Sequence, residues 1–263
     1  MIAFGLESKG RLRRRVVMLD DGSVAYKSEW MESGEAPQLS PTVFLVEQAP
    51  GSTLKTHFHR QNEFQVVVQG AAMLGRHPVR PYTVHYAGAY TGYGPLVAGP
   101  DGLAYFTMRA AFDTGTLTDV AQVLRGPKRQ QHAAPVEPTA SSRLQALQAI
   151  EAGHLLNRPG DAVYSGLHRL PPHGSMELQP TPGSAGTFAM VIVGSALARE
   201  TSLQRWESIF LSGDETALAL HAGASGCELL TMQIPLLDEA YSSQVQNTES
   251  APAFDGGAGV VTA

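Results

Sequence analysis

Apolar residues in this chain come in short alternating runs broken by glycine, proline and aspartate, the pattern of half-buried strands joined by tight turns. LRRRVVMLDDGSVAYKSEW, residues 12–30, contains two such runs meeting at Asp20-Asp21-Gly22, where Asp-Gly is a good hairpin signal. PTVFLVE (41–47), FQVVVQ (64–69), a run over 79–86 and LAYFTMRAAF (103–112) follow. Between them lie turns at Ala49-Pro50-Gly51 and His77-Pro78, and the glycine-, tyrosine- and proline-rich GAYTGYGPLVAGPDG (88–102). No stretch up to residue 115 shows a helical period, so this part is expected to be a β-sandwich or barrel.

Beyond Phe112 the pattern changes. TLTDVAQVL (116–124) suits a short helix, and GPKRQQHAAPVEPTA (126–140) has the polar, proline-bearing make-up of a linker. Ser141 and Ser142 are candidate N-caps, and Leu144, Leu147, Ile150 and Leu155 recur at loosely helical spacing, predicting one amphipathic helix over 139–156. The second half then repeats the first. With Gly70 set over Gly194 and a constant offset of 124, Phe64 falls on Phe188, Ala72 on Ala196, Tyr82 on Trp206, Tyr86 on Phe210, Gly102 on Gly226 and Met108 on Met232. A repeat of domain size means two copies of one fold. The expected organisation is a barrel over 1–115, a linker with a helix over 116–156, a second barrel over 157–240 and a tail over 241–263.

Composition narrows the setting. Hydrophobic residues at 43% and charged residues at 16% permit a packed core, and 27 glycines with 17 prolines favour short strands over long helices. The net charge of −5 is spread along the chain, and the only basic run is Arg11-Leu12-Arg13-Arg14-Arg15, which argues against a nucleic-acid surface. Cys227 is the single cysteine, so no intrachain disulfide and no multi-cysteine zinc site can form. Neither a signal-peptide pattern nor an apolar run of membrane-spanning length is present, and a soluble cytoplasmic protein is expected.

The chemistry concentrates in GSTLKTHFHRQNEFQVVVQG, residues 51–70. On a strand His57 and His59 share a face. A straight strand would carry Glu63 roughly 20 Å past His57. The polar Arg60-Gln61-Asn62 is a plausible turn that would fold Glu63 back beside the imidazoles, and two neutral nitrogens and a carboxylate suit a divalent metal. By alternation Gln65 and Val67 face inward with Glu63, while Phe64, Val66 and Val68 face outward.

This stretch resembles the first signature motif of the cupins: glycine, five residues, His-x-His, three or four residues, Glu, six residues, glycine, met by Gly51, His57, His59, Glu63 and Gly70. Together with the internal repeat, the resemblance implies an all-β bicupin, two tandem double-stranded β-helix (jelly-roll) barrels joined by a short helical linker. It implies His57, His59 and Glu63 as metal ligands, with iron first among divalent transition metals and zinc, nickel or manganese as alternatives.

Two departures stand out. Metal cupins usually draw a fourth ligand, a histidine, from a second motif, and here it is missing. One register places Pro95 in the histidine position and another places Tyr105 there; the first is preferred because it leaves a full strand after the turn. In the second half, with Gly174-Ser175 set over Gly51-Ser52 and one residue inserted, Pro180, Pro182 and Thr187 stand in the places of His57, His59 and Glu63, so a metal-free second barrel is expected. Gln65, Tyr90 and Tyr93 are candidate substrate or outer contacts, and His85 is a candidate substitute ligand, although a hydrogen-bonded core role is commoner for such a histidine.

The functional expectation is a metal-dependent cupin acting on a small organic molecule through Fe(II)-type dioxygenase chemistry. The competing class is a non-catalytic bicupin that binds or senses a small ligand, so whether the chain is an enzyme stays open. No catalytic residue beyond the ligands is named. The expected partner is a small-molecule substrate, not nucleic acid or membrane, and the resemblance adds homo-oligomerisation through strand edges.

Overall fold

The computed structural model describes residues 1–19, 21–31, 40–113, 115–118, 131–239 and 241. Asp20, the expected short helix from residue 119 onward, residues 126–130 of the linker and the tail from 242 lie outside the described residues.

The chain is all-β. In order it forms β1 (Ile2–Gly5), β2 (Arg14–Met18), β3 (Val24–Met31), β4 (Thr42–Gln48), β5 (Thr53–Leu54), β6 (Glu63–Leu74), β7 (His77–Val79), β8 (Thr83–Ala87), β9 (Leu96–Arg109) and β10 (Gln131–Pro135). The second half contributes β11 (Glu151–Arg158), β12 (Val163–Leu170), β13 (Ser175–Leu178), β14 (Ser184–Ala198), β15 (Thr201–Leu203), β16 (Ser208–Leu211) and β17 (Leu218–Pro235). One antiparallel sheet runs β10-β8-β6-β9-β4-β3-β2 and the other β1-β16-β14-β17-β12-β11, with β5, β7, β13 and β15 attached at their flanks.

Strand register carries the internal repeat. Phe64 pairs with Met108, Gln65 with Thr107, Val67 with Tyr105 and Gly70 with Leu103. Adding 124 to each number returns the observed pairs Phe188–Met232, Ala189–Thr231, Val191–Leu229 and Gly194–Cys227. Both long pairs also slip register at the same place, after Gly70 and after Gly194. There the two backbones touch: a Cβ on Gly70 would lie 2.1 Å from the Gly102 carbonyl oxygen, and one on Gly194 2.1 Å from that of Gly226. Only glycine allows that approach, which explains why these glycines recur.

Sheet membership crosses the middle of the chain. β1 pairs with β16 of the second sheet, Ile2 opposite Leu211, while β10, from the segment between the barrels, pairs with β8 of the first, Gln131 opposite Ala87. Since Ala87 and Leu211 are themselves related by 124, each barrel takes its edge strand from the stretch of chain preceding the other barrel.

Two helical expectations are corrected. The helix expected over 139–156 is only Ser141–Ala146, because Glu151–Arg158 joins the sheet as β11 and its backbone bonds go to β12. A six-residue helix, Glu7–Leu12, forms where none is expected; it is too short to show a period and is held by the Glu7–Arg11 ion pair and by packing on Trp30. Among the described residues no helix is long and apolar enough to cross a membrane.

Each barrel has its own interior, but the largest core is shared. Phe64, Val66 and Val68 point out of the first barrel, as alternation predicts, and are buried against residues of the second, among them Phe188, Met190 and Ile192. Tyr82 and Trp206, related by the repeat, meet there: the indole N–H donates to the Tyr82 oxygen at 3.3 Å.

Candidate functional site

The mouth of the first barrel is assembled from the loop before β6, the start of β6, the loop before β9 and the end of β9. His57 pairs with Tyr93 through two backbone hydrogen bonds of 3.1 and 3.0 Å, fixing the Tyr93 loop beside the histidines. Asn62 locks the expected turn, accepting from the Ala89 N–H at 2.9 Å and donating to the Pro235 carbonyl at 3.1 Å. Glu63 is thereby folded back, its Oε2 4.0 Å from His59 Nε2. All three predicted ligands are buried, Glu63 to 1% exposure.

The outer nitrogens of both imidazoles are committed. His57 Nδ1 lies 2.7 Å from the Lys55 carbonyl, which can only accept, so Nδ1 carries the proton. His59 Nδ1 stands 3.2 Å from both Asp113 Oδ2 and the Gly115 carbonyl, again acceptors. In the neutral rings both lone pairs therefore sit on Nε2, on the side of Glu63, the orientation in which metal-bound histidines are held. Burial, and then the neighbouring His59, keep His57 below its ordinary pKa and so neutral.

Glu63 is ionised. Burial alone would raise its pKa, but His59, Arg109 and the Tyr93 hydroxyl hold it down at about 2. Arg109 Nε and Nη2 both donate to Oε2, at 2.8 and 2.7 Å. Oε1 receives a short hydrogen bond from the Tyr93 hydroxyl. The phenol oxygen also lies 3.0 Å from His57 Nε2 and accepts from Gln65 Nε2 at 2.9 Å.

Gln65 is held in turn. Its Oε1 accepts from His85 Nδ1 at 2.9 Å, and His85 Nε2 accepts from the Gln131 amide at 3.0 Å. Burial drives the His85 pKa to about 4, so this ring is neutral. His85 thus props Gln65 and does not reach the ligand triad. Tyr93 and Gln65 enter the site, whereas Tyr90 packs against Phe58 and Tyr241 in a separate aromatic cluster, its ring stacked on Tyr241 at 4.6 Å. The premise of the preferred register, a strand that begins after the AGPDG turn, is corrected. β9 does not begin after the AGPDG turn but runs through it, so Tyr105 lies opposite Val67 in the barrel interior while Pro95 accepts from the Gly75 N–H at 2.8 Å.

Arg109 and Asp113 have no place in the sequence reading. Arg109 had a signal: it continues the inward alternation Tyr105, Thr107, Arg109, and a charge on the buried face of a strand implies a partner. Asp113 had none, since it follows the strand in an irregular segment. Its carboxylate, held at a pKa of about 2 against burial by His59 and Arg109, also accepts from the Arg60 and Gly115 N–H groups at 2.9 and 3.3 Å. Asp113→Ala is expected to weaken any metal bound through His59 by about 10–100-fold in equilibrium titration, the usual effect of losing an outer partner of a ligating histidine.

Among the described residues no three His, Cys, Asp or Glu side chains stand close enough together to hold an ion as placed. The Tyr93 phenol stands between His57 and Glu63. The donor types suit a divalent metal all the same: two imidazoles whose Nδ1 atoms are held by outer acceptors, and an ionised carboxylate that is held here by Arg109 on Oε2 and by the Tyr93 hydroxyl on Oε1. Beside Arg109 and Asp113 lies a cavity of about 20 Å³, room for one water, lined also by Lys27, Glu29, Phe44 and Phe112. In the second barrel the places of Gln65, His85 and Tyr105 are taken by Ala189, Ile209 and Leu229 in a closed apolar cluster.

No family model matches the sequence, and no curated protein matches it. Solved structures do resemble the fold. The oxalate decarboxylase of Bacillus subtilis aligns with a TM-score of 0.57 at 11% identity over 94% of this chain and 83% of that one. That of Lactobacillus farciminis, solved as a formate complex, aligns at 0.57 and 13% over 90% and 87%. A bacterial pirin from Escherichia coli, solved with nickel(II), aligns at 0.55 and 12% over 90% of this chain and all of that one.

Proposed function

We propose, for a chain whose fold is that of the two-barrel cupins, that the first barrel holds a divalent transition metal and acts on a small organic molecule, with Fe(II)-type oxygenase chemistry as the reaction class. One observation carries this reading: both imidazoles direct Nδ1 to outer acceptors, which leaves Nε2 of each on the side of a buried, ionised carboxylate. His57, His59 and Glu63 would hold the ion, Glu63 through Oε1 because Arg109 occupies Oε2. When bound, the metal would supply Lewis acidity and open positions for oxygen and substrate.

The protein's own groups have separate tasks. Lys55 and Asp113 set the ring orientations, Arg109 holds the carboxylate and balances its charge, and Gln65, propped by His85 and Gln131, fixes the phenol of Tyr93. The nickel-bound pirin supports a transition metal in a barrel of this shape. Iron is placed first for the oxygenase reaction, with zinc, nickel and manganese as alternatives. The substrate would be met in the cytoplasm as a free small molecule.

Protein purified without a histidine tag should carry a stoichiometric share of one transition metal, lost in His57→Ala. Less than about a tenth of an equivalent, unchanged in that variant, would falsify the metal centre. A second reading has its own observation: Arg109 already neutralises Glu63 at 2.7–2.8 Å, as a metal-free binding or sensing module would require. Tight ligand binding in thermal-shift assays, without turnover of catechols, diketones or aromatic acids under iron and oxygen, would select it.

A further inference from the structure

Outside the first barrel, a second set of polar side chains converges on one place. At the end of β14, where it pairs with β15 and β17, a groove of about 400 Å³ is bordered by His173, Ser195, Leu197, His221 and Ala224. We infer that this groove binds a small organic carboxylate, the carboxyl group held by His173, Ser195 and His221 and the hydrocarbon body lying along Leu197 and Ala224. The inference is independent of the metal reading, because no residue of the first barrel takes part.

Strand register assembles the groove. Leu197 lies opposite His221, and both project from the outer face, since the flanking Ala196, Ala198, Leu220 and Ala222 belong to the second barrel's own core. On the other side His221 lies opposite Ser175. Beyond that pair the Ala222 N–H donates to the Gly174 carbonyl at 2.8 Å and the His173 N–H to the Gly223 carbonyl at 3.3 Å, which brings His173 beside Gly223. Gly223 leaves the space that Ser195 uses: a Cβ there would lie 2.3 Å from the Ser195 hydroxyl oxygen.

Three observations point to a ligand. Among the described residues no hydrogen bond or ion pair engages the side chains of His173, Ser195 or His221, so three polar groups face the groove with their bonding capacity unused. The internal repeat supplies the second. Leu197 pairs with His221 as Met73 pairs with Val97, and Ser195 stands 124 residues after Ala71, so the same strands form in the first copy with valine and alanine at these places. Packing therefore calls for neither the imidazole nor the hydroxyl. The third is backbone strain: His173 has a φ of 58°, in the left-handed region that favours glycine, and it keeps an imidazole there.

The donors select the ligand. Each imidazole offers a ring N–H and Ser195 a hydroxyl, three donors that the lone pairs of one carboxylate can satisfy together. No Asp or Glu lines the groove to repel an anion, and no Lys or Arg lines it to balance a more highly charged phosphate. Among the described residues no third His, Cys, Asp or Glu joins the two histidines, which leaves a metal short of donors. The volume is that of a small-molecule site and exceeds what a carboxyl group fills, and Leu197, 43% exposed, offers the remainder an apolar wall.

The test titrates the metal-free full chain with sodium hexanoate and sodium benzoate, read by calorimetry and saturation-transfer NMR, with hexanol and benzyl alcohol as uncharged counterparts. Expected is binding of one or both acids, with the matching alcohol weaker by about tenfold or more. His221→Val and His173→Gly should each lower the affinity by about tenfold or more, and Ser195→Ala by about threefold or more. Valine and alanine are the residues of the first copy and glycine suits the backbone at 173, so melting curves of the variants should stay close to the parent's and separate lost binding from lost fold. No binding of either acid up to about 10 mM would overturn the inference, as would alcohols that bind as tightly as the acids or groove variants that keep the parent's affinity.

Discussion

Arg109→Leu unfolds at a lower denaturant concentration than the parent protein, the difference at neutral pH amounting to about 3–5 kcal/mol, because it leaves the Glu63 carboxylate buried and without its cation. The effect carries a pH signature. In the parent, Glu63 and Asp113 both have folded pKa values of about 2, below their ordinary values of 4.5 and 3.8. A depressed carboxylate stabilises the fold above its unfolded pKa and loses that contribution as pH falls through the folded value, so the parent weakens from about pH 4.5 toward 2. In Arg109→Leu the burial of Glu63 acts with less opposition, its pKa rises, and the variant's deficit shrinks in acid as the carboxyl protonates. A deficit of equal size at about pH 7 and pH 3 would contradict this account. Excess Co(II) should also restore part of the variant's stability by binding the folded state, which separates the metal centre from the metal-free module.

Phe188→Ala, a change in the second barrel, should weaken the whole chain by about 3–5 kcal/mol and leave a single unfolding transition. Phe188 is fully buried in the core that also contains Phe64, Val66, Tyr86 and Phe106 of the first barrel. The exchanged strands β1 and β10 tie the same two units together. Near-ultraviolet dichroism and fluorescence report both tryptophans, Trp30 from β3 and Trp206 from the second half, and both belong to or pack on this core. Their transitions should coincide with loss of the β signal in far-ultraviolet dichroism. Two resolved transitions would mean that the barrels fold independently and that the shared core is only a contact.

Much of the fold is legible in the residues because strands obey a period of two and the repeat runs without gaps from Phe64 to Met108. Alternation along EFQVVVQ sorts Glu63, Gln65 and Val67 from Phe64, Val66 and Val68 correctly, and the offset of 124 reappears as identical pairing registers. The helix over 139–156 misled for a physical reason: a loosely apolar spacing is compatible with helix or strand, and an open edge on β12 decides for the strand. Exchange of the edge strands has no local signature, since any short β-prone segment can fill an open edge and chain path alone determines which one it meets.

The site divides in the same way. His57, His59 and Glu63 are recognisable from spacing because a turn of fixed length must bring a carboxylate back beside two strand imidazoles. Arg109, Asp113 and Tyr93 reach them from 30 to 54 residues away, and such distant partners leave no spacing to read. Local pattern thus points to the two barrels and brings His57, His59 and Glu63 to one place, since both depend on interactions among near neighbours in the chain. Which charge balances the carboxylate, which acceptor orients each ring and which hydroxyl bonds to both His57 and Glu63 are settled by packing between distant segments, and only the folded molecule brings those together.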